Sequence, residues 1–275
     1  MNATGKKKKR VNVQNTLRLA ACSALRKDIL ISLQKGKKPL SKIRDELGVS
    51  STTAIHALRE LERDNLVLQN GERNYALTKI GEILTLKLTD FINTADILKK
   101  HEHFWLEHDL SGIPERLVEK IGWLSNATLL VDSPTDILKS HKALIQVLET
   151  ANEVKGIYPI FNLEYLEKIE ELVEGKVIDV ELIVSNEVLD SIEGVLETNE
   201  AFKNIFSAPN FTLLGADEPI KILFTLTDSI LYLGLFAAEG LYDFNRALVC
   251  DDERALSWGR ELHEYYRQLA KAIVF

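Results

Sequence analysis

Cysteine is scarce in this chain of 275 residues. Only Cys22 and Cys250 occur, and we expect no secretion signal before them. Two cysteines that lie so far apart supply neither a disulfide framework nor the ligand set of a zinc site. The sequence therefore predicts a protein of the reducing cytoplasm, in which both cysteines are small core residues.

The motifs of the common catalytic classes are also absent. The sequence contains no phosphate-binding loop, no catalytic carboxylate pair at a recognisable spacing, no cysteine–histidine couple and no serine-hydrolase elbow. Three histidines lie beside acidic residues in the segment 101–109, but the end of a polar helix explains them better than a metal site does. We predict no cofactor and no metal, and catalysis is the weaker expectation.

No apolar run is long and uninterrupted enough to predict a membrane span. The best candidate, residues 222–238, is broken by Thr227, Asp228 and Ser229 and is rich in strand-forming residues. Two buried strands around a turn explain it better. The LAAC segment at residues 19–22 looks like a lipoprotein cleavage site, but the residues before it are too polar for a signal core.

The net charge of −7 hides a division along the chain. Residues 1–80 contain 17 Lys and Arg against 7 Asp and Glu, and residues 81–275 contain 17 against 34. A basic segment joined to an acidic one directs the basic part toward a polyanion.

We expect residues 1–15, with the run KKKKR, to form a flexible basic arm. An amphipathic helix should follow and end at Gly36, with its inward positions at Leu17, Ala21, Ala24 or Leu25, Ile29 and Leu33.

Residues 16–78 are predicted to form a winged helix-turn-helix. A short helix with apolar residues at helical spacing ends at Gly48. Ser50 can cap a second helix, whose apolar stripe must pack inward. Segments that alternate apolar and polar residues then flank Asn70-Gly71, the pattern of a β-hairpin. Each piece alone is common in soluble proteins, but their order and spacing together favour DNA binding.

The outward side of the second helix carries the candidate base-reading residues. Short hydrogen-bonding groups near its start and a cation further along suit a helix whose N-terminal half enters the major groove. Basic and amide side chains of the first helix and the hairpin should contact phosphates. The predicted DNA-binding residues are Lys42, Ser51, Thr52, Thr53, His56, Arg59, Gln69, Asn70 and Arg73. Double-stranded DNA is the expected partner.

Residues 79–110 contain no proline and repeat apolar residues at helical spacing. This pattern predicts one long linking helix, which must bury its apolar stripe. We expect it to pair two copies of the chain into a homodimer, because paired half-sites in DNA need a two-fold protein. The alternative is packing on the chain's own second domain.

Residues 111–275 alternate strands and helices and end in a helix over residues 253–274. They predict an α/β domain with buried strands, so the whole chain reads as an α+β winged helix, a linking helix and an α/β regulatory domain. Ligands of open sheets bind at strand ends. The candidate ligand-binding residues are Ser133, Ser185, Asn186, Thr227 and Asp228.

Five segments of the second half form a distinctive run: VKGIYPIFNLEYLEKI, VELIVSNEVLDSI, PIKILFTLTDSILYLGLF, GLYDF and ALSWGRELHEYYR. In this run, and over nearly its whole length, the chain resembles the archaeal regulator family typified by the filament and methanogenesis regulatory proteins of methanogens. The resemblance implies a transcription regulator whose second domain responds to a signal, and it does not identify that signal. A small-molecule effector, a redox state and a protein effector are the alternatives.

The second domain is also distantly similar to phospholipase-D-like modules, in which a histidine and a lysine two residues apart act on phosphate esters. Here Pro219 stands where that histidine should be, two residues before Lys221, and Asp228 falls two positions beyond the expected aspartate. Both departures count against a phosphodiesterase. The principal alternative to a regulator is nevertheless a phosphodiesterase or nucleic-acid-processing enzyme that the winged helix targets to its substrate. A scaffold that binds transcription machinery is another.

Overall fold

The computed structural model describes residues 4–176, 178–198 and 202–273. The chain divides into two compact units, Met1–Ile92 and Asn93–Phe275. The division falls inside helix α5 (Lys79–Lys100). The domain boundaries that the sequence predicts at the two ends of a linking segment, residues 79–110, stay a prediction.

The first unit has the element order of a winged helix-turn-helix. Strands β1, β2 and β3 form an antiparallel sheet in the order β1-β3-β2. Helices α2, α3 and α4 pack on it around one apolar core. The elements before α5 are α1 (Thr4–Ala21), α2 (Ala24–Gln34), β1 (Lys38–Pro39), α3 (Leu40–Leu47), α4 (Ser51–Arg63), β2 (Val67–Gln69) and β3 (Asn74–Leu77).

The start of the chain differs from the prediction. Helix α1 begins at Thr4, within the segment expected to be a flexible arm, and the amphipathic helix is split in two at Ser23, whose Oγ caps α2. As a result Leu17 is exposed, whereas Ile29 and Leu33 are buried. Cys22 lies in this break and is exposed, so the prediction of a core residue was wrong there.

Helix α5 is shorter than predicted. It ends at Lys100, and α6 (Glu102–Glu107) and strand β4 (His108–Asp109) follow. Phe104 and Trp105 are buried in the core of the second unit, which draws the chain away from the axis of α5. Each ring nitrogen of the buried His108 has a hydrogen-bond partner. Nδ1 lies 2.6 Å from the Phe104 carbonyl oxygen, and Nε2 lies 3.1 Å from Asp243 Oδ2.

The remaining elements of the second unit alternate strands with helices, as the sequence predicted. They are α7 (Glu115–Val118), a 3-10 helix (Ile121–Leu124), β5 (Thr128–Val131), α8 (Lys139–Glu149), β6 (Glu153–Tyr158), α9 (Leu163–Glu170), a π-helix (Glu171–Lys176), β7 (Asp179–Ser185), α10 (Asn186–Thr198), α11 (Lys203–Ser207), β8 (Phe211–Ala216), β9 (Ile222–Thr227), β10 (Leu231–Ala237), β11 (Arg246–Cys250), α12 (Glu253–Leu269) and β12 (Ala270–Ala272).

In the described part of this unit, nine strands form one mixed sheet. Its order is β12-β8-β7-β6-β9-β10-β11-β5, with β4 added beside β10. Strands β6, β7 and β8 are parallel, and every other pairing is antiparallel. The predicted terminal helix was too long, because residues 270–272 leave it to pair with β8 as strand β12.

Both faces of the large sheet are buried. Alternate residues of β6 and β7 point to opposite sides, so that Ile157 and Ile183 join one core while Tyr158 and Leu182 join the other.

Cys250 is buried at the end of β11, as predicted. The segment 222–238 forms β9 and β10 around a turn, and across the described residues no helix combines the length and apolarity that a bilayer span requires.

Candidate nucleic-acid interface and ligand sites

The turn between α3 and α4 fixes where α4 begins. Gly48 ends α3 in the left-handed conformation, with φ of 64°, which glycine adopts without a steric penalty. Ser50 Oγ then accepts a hydrogen bond from the Thr53 amide at 3.1 Å and lies 2.8 Å from Thr53 Oγ1. The Thr53 hydroxyl is therefore already engaged in the cap, whereas the side chains of Ser51 and Thr52 are exposed.

One side of α4 is apolar and the opposite side is polar and exposed. Ala54, Leu58 and Leu61 are fully buried. Across the helix, exposed side chains recur at intervals of four, three and four residues, at Thr52, His56, Arg59 and Arg63. Arg63 was missed in the sequence, although the same spacing predicts it. These four residues form the outward face of α4.

Strands β2 and β3 form the wing, a hairpin that the sequence predicted. Its turn is longer than the two-residue turn typical of Asn-Gly. The Asn70 amide donates to the Asn74 carbonyl at 2.8 Å, and Asn70 Oδ1 accepts hydrogen bonds from the amides of Glu72 and Asn74. The left-handed residue is Arg73, with φ of 61°, rather than Gly71. Arg73 is thus exposed at the end of the wing.

The basic side chains of the first unit fall into two groups. Several are paired within the unit: Lys38 with Glu46, Arg26 with Glu60, Arg44 with Asp45 and Lys37 with Glu72, all at 2.6–2.8 Å. Lys42, Arg59 and Arg73 are exposed, and no carboxylate of the described residues lies within 4 Å of them. Exposed cations without an internal partner are available to neutralise phosphates.

The five predicted ligand-binding residues do not lie together. Ser185 and Asn186 line a cavity of 210 Å³ at the carboxyl edge of β6–β8. Thr227 and Asp228 lie at the opposite edge, because β9 runs antiparallel to β6, and Asp228 accepts hydrogen bonds from Asn152. The prediction treated the strand ends as one edge, which holds only for parallel strands.

Ser133 is also separated from the cavity. It follows β5, which ends at the same edge as β7 but lies five strands away in the sheet order, a distance of about 24 Å. Its hydroxyl accepts a hydrogen bond from the Asp136 amide. Of the five predicted residues, only Ser185 and Asn186 can therefore contact one small ligand.

Lys221 and Asp228 stand at opposite ends of strand β9. Seven residue steps along the extended strand separate them by about 23 Å. Lys221 Nζ donates to Asp109 Oδ2 at 2.8 Å, and this hydrogen bond lowers the pKa of Asp109 to about 2. The two residues that the phospholipase-D-like resemblance singled out therefore cannot act on the same phosphate ester.

A larger cleft, which no pattern in the sequence predicts, lies at the other edge of the sheet. It has a volume of 580 Å³ and is formed by the amino ends of β6–β8 and by helix α12. Lys155 and Glu181 contribute from the strands, and His263 and Arg267 from the helix. Glu181 accepts a hydrogen bond from Arg267 Nε at 3.1 Å.

Several solved structures are similar to this chain, among them TrmBL2, NucT and Nuc. TrmBL2, described as an archaeal chromatin protein with a novel mode of DNA binding, is 14% identical, with 89% of this chain and 91% of that chain covered and a TM-score of 0.43. NucT from Helicobacter pylori is 16% identical, with 54% and 98% covered and a TM-score of 0.40. Nuc from Salmonella typhimurium, a phospholipase D family member, is 11% identical, with 54% and 99% covered and a TM-score of 0.39.

Sequence comparison gives a specific family. The N-terminal domain of the methanogenesis regulatory protein FilR1 matches residues 14–96, and its middle domain matches residues 137–269. FilR1 of Methanothrix harundinacea is 28% identical over 259 residues, which cover 94% of this chain and 58% of that protein. The chain thus spans somewhat more than half the length of this relative. It belongs to the archaeal regulator family typified by the methanogenesis regulatory protein FilR1.

Proposed function

We propose that the protein is a sequence-specific transcription regulator that binds double-stranded DNA through α4 and the wing. The observation that carries the proposal is the outward face of α4, which is exposed and polar at the start of the helix and basic further along. A helix of this character fits the major groove, where side chains read the edges of base pairs. Membership of a family of regulatory proteins supports the same function.

The proposed contacts divide into two classes. Ser51, Thr52 and His56 are short or planar groups near the start of α4 and would contact base edges, with Thr53 beside them in the cap. The unpaired cations would neutralise phosphates, joined by amide groups of the wing. This second class consists of Lys42, Gln69, Asn70 and Arg73, and Arg59 would either neutralise a phosphate or contact the edge of a guanine.

We further propose that two copies of the chain pair through helix α5. Leu84 and Leu88 pack against the core of the first unit. On another side of the helix, Ile80, Ile83 and Phe91 are exposed by 56%, 63% and 69%. Large apolar residues repeated along one side of a helix favour association with a second helix. A two-fold pair would place two copies of α4 on a pseudo-palindromic site.

The second unit is proposed as the regulatory domain of this regulator. An effector that binds one arrangement of the dimer more tightly than another would shift the affinity for DNA by the same free-energy difference. The cavity at Ser185 and Asn186 is the part of the predicted ligand site that can hold such a molecule.

Fluorescence anisotropy tests the DNA-binding function directly. The purified protein is titrated into labelled DNA from its own upstream region and into a scrambled duplex of the same composition, over a series of salt concentrations. We expect tighter binding to the native sequence at 0.15 M salt, with affinity for both duplexes falling as salt rises. Equal affinity for the two duplexes at every salt concentration would contradict a sequence-specific regulator.

A further inference from the structure

The cleft between the amino ends of β6–β8 and helix α12, which we call the amino-edge cleft, is lined by charged groups where the sheet would ordinarily be apolar. Glu153 pairs with Asp179 across the parallel strands, and Lys155 pairs with Glu181 in the next row. Residues two apart on a strand share a face. These four side chains therefore form two polar rows on the face that α12 covers.

The cations of the amino-edge cleft already have partners on the protein. Lys155 is paired with Glu153, and Arg267 is paired with Glu181. Arg260, the remaining cation of the lining, is 3.0 Å from Glu253. An anionic ligand would have to break these pairs to gain a contact, so the cleft is poorly suited to phosphates and carboxylates.

Two carboxylates of the cleft have no such partner. In the part of the chain that the structure describes, no cation lies within 4 Å of Asp179 or of Glu264. Glu264 Oε1 accepts a hydrogen bond from the side-chain amide of Gln268 at 2.9 Å. The charge left unneutralised in this cleft is thus negative.

His263 adds an acceptor that lacks a donor. The residue is 2% exposed, and its Nε2 has no hydrogen-bond partner among the described residues. Burial lowers the pKa of His263 to about 4, so the ring is neutral at neutral pH and carries one proton. Nδ1 lies 3.6 Å from Oε1 of Glu181, which also lines the cleft. A proton on Nδ1 directed toward this carboxylate leaves Nε2 as a buried acceptor without a donor among the described residues.

We propose that the amino-edge cleft binds a small organic cation with several N–H donors, of the polyamine class. Its ammonium groups would pair with Asp179 and Glu264, beside the ring of His263 and the carboxylate of Glu181. The volume of 580 Å³ lies within the range of small-molecule sites, roughly 300–1,000 Å³. A metal ion is a poorer occupant, because the described residues contain no group of three or more His, Cys, Asp or Glu side chains placed to hold one. The proposal concerns binding alone and does not depend on DNA recognition.

Isothermal titration calorimetry of the full chain tests the proposal. Putrescine and spermidine are titrated at 0.15 M salt, and magnesium chloride, glutamate and inorganic phosphate are titrated in parallel. We expect saturable binding of a polyamine at one site, with affinity reduced about tenfold in Asp179→Asn and in Glu264→Gln, since each removes one ion pair. Both substituted side chains are exposed and keep their volume, and a thermal melt of each variant verifies the fold.

A matched control separates the cleft from the general acidity of the unit. Glu239→Gln removes an exposed carboxylate that does not line the cleft and should leave the affinity unchanged. Nitrogen-15 spectra of histidine-labelled protein give a second measurement, in which polyamine should shift His263 Nε2 and not the exposed His56. Three outcomes would overturn the proposal. Magnesium could compete with the polyamine for the site as well as a second polyamine does, or Glu239→Gln could weaken binding as much as Asp179→Asn does. The third outcome is binding of polyamine that leaves the His263 resonance unmoved. Binding of phosphate or glutamate in place of the polyamine would overturn the proposal as well.

Discussion

Arg73 adopts a backbone conformation that side chains with a Cβ rarely take. Its φ of 61° lies in the left-handed region, which costs an ordinary residue about 1–2 kcal/mol. The side chain is exposed and finds no carboxylate within 4 Å among the described residues, so no ion pair of the first unit offsets this cost. Strain of this kind is common where a residue serves an external partner.

Replacing Arg73 by glycine should therefore weaken DNA binding while leaving the stability of the fold almost unchanged. In Arg73→Gly we expect the free energy of unfolding to stay within about 1 kcal/mol of the wild type, because glycine accepts the left-handed conformation. Affinity should fall for specific and scrambled DNA alike, and the salt slope should decrease by about one phosphate contact. Urea denaturation and anisotropy measure the two quantities.

Two further variants complete the comparison. Lys142→Ala removes one positive charge from the second unit and should not alter the salt slope. Thr52→Ala should change which sequence is preferred while leaving the salt slope intact, because Thr52 would contact bases rather than phosphates. A Thr52→Ala variant that loses equal affinity for both duplexes would argue against a base-reading role for α4.

His263 predicts an acid sensitivity of the second unit. Burial lowers its pKa from 6.5 to about 4, so the unfolded chain takes up a proton at a pH where the folded chain does not. The stabilisation is complete above pH 6.5 and is lost as the pH falls toward 4, by up to about 3 kcal/mol. Urea unfolding followed by the fluorescence of Trp105, Trp123 and Trp258, all in this unit, should show the decline.

The control for this prediction is the substitution His263→Gln. The variant should show a flatter dependence of the unfolding free energy on pH between 6.5 and 4, whatever its stability at pH 7. Asp109, with its pKa lowered to about 2, loses its contribution only below its ordinary pKa of 3.8 and does not affect this window. An unchanged pH dependence in the variant would assign the decline to other groups.

Among the elements, the start of α5 depends on a close approach between two backbones. Thr78 Oγ1 accepts a hydrogen bond from the Gly81 amide at 3.0 Å and donates one to the Asn65 carbonyl. A Cβ on residue 81 would lie 1.9 Å from the Leu66 carbonyl oxygen. The first turn of α5 can pack here only because residue 81 has no side chain.

Gly81→Ala should therefore destabilise the first unit, by about 1–3 kcal/mol, through forced displacement of α5 from β2. Gly71→Ala is the matched control, since a Cβ there meets nothing within 4 Å, and it should change the stability of the same unit by less than about 1 kcal/mol. Urea unfolding followed by far-ultraviolet circular dichroism gives both values. Equal effects of the two substitutions would show that the close approach at Gly81 is unimportant.

Elements that begin or end at residues with strong conformational preferences of their own could be predicted from the sequence. Elements whose bounds depend on contacts with distant parts of the chain could not. Gly48 and Ser50 indicate the turn before α4 by their own conformational preferences. The early end of α5 depends instead on the burial of Phe104 and Trp105, and strand β12 depends on an edge that β8 leaves open. Alternating apolar residues located the strands of the large sheet, but they carry no information on strand direction.

The candidate sites follow the same division. The outward face of α4 could be predicted because one helix positions all of it, and even Arg63 follows from the spacing. The predicted ligand set failed because Thr227 and Ser185 lie on strands of opposite direction. The amino-edge cleft combines three strands with helix α12, so no single segment of sequence predicts it.

At the scale of the whole molecule, the two signs of charge are separated along the chain, and pairing of two chains would double the basic surface offered to DNA. The exposed side of α5 is the surface proposed for that pairing. Burying Phe91, Ile80 and Ile83 against a second copy removes apolar area from water, which favours association by about 25 cal/mol for each Å². Two linked DNA-binding units also gain affinity for paired half-sites, because the second contact becomes intramolecular.

Phe91→Ser should consequently shift the protein from dimer to monomer in sedimentation equilibrium. It should weaken binding to a duplex with two half-sites by at least about tenfold, while binding to a single half-site changes little. Leu241→Ser serves as the control, because Leu241 is 75% exposed and lies in the second unit, outside α5 in the chain. If Phe91→Ser remained dimeric, or if Leu241→Ser dissociated the dimer equally, pairing would have to occur through another surface. The spacing of half-sites would then be set by that other surface rather than by α5.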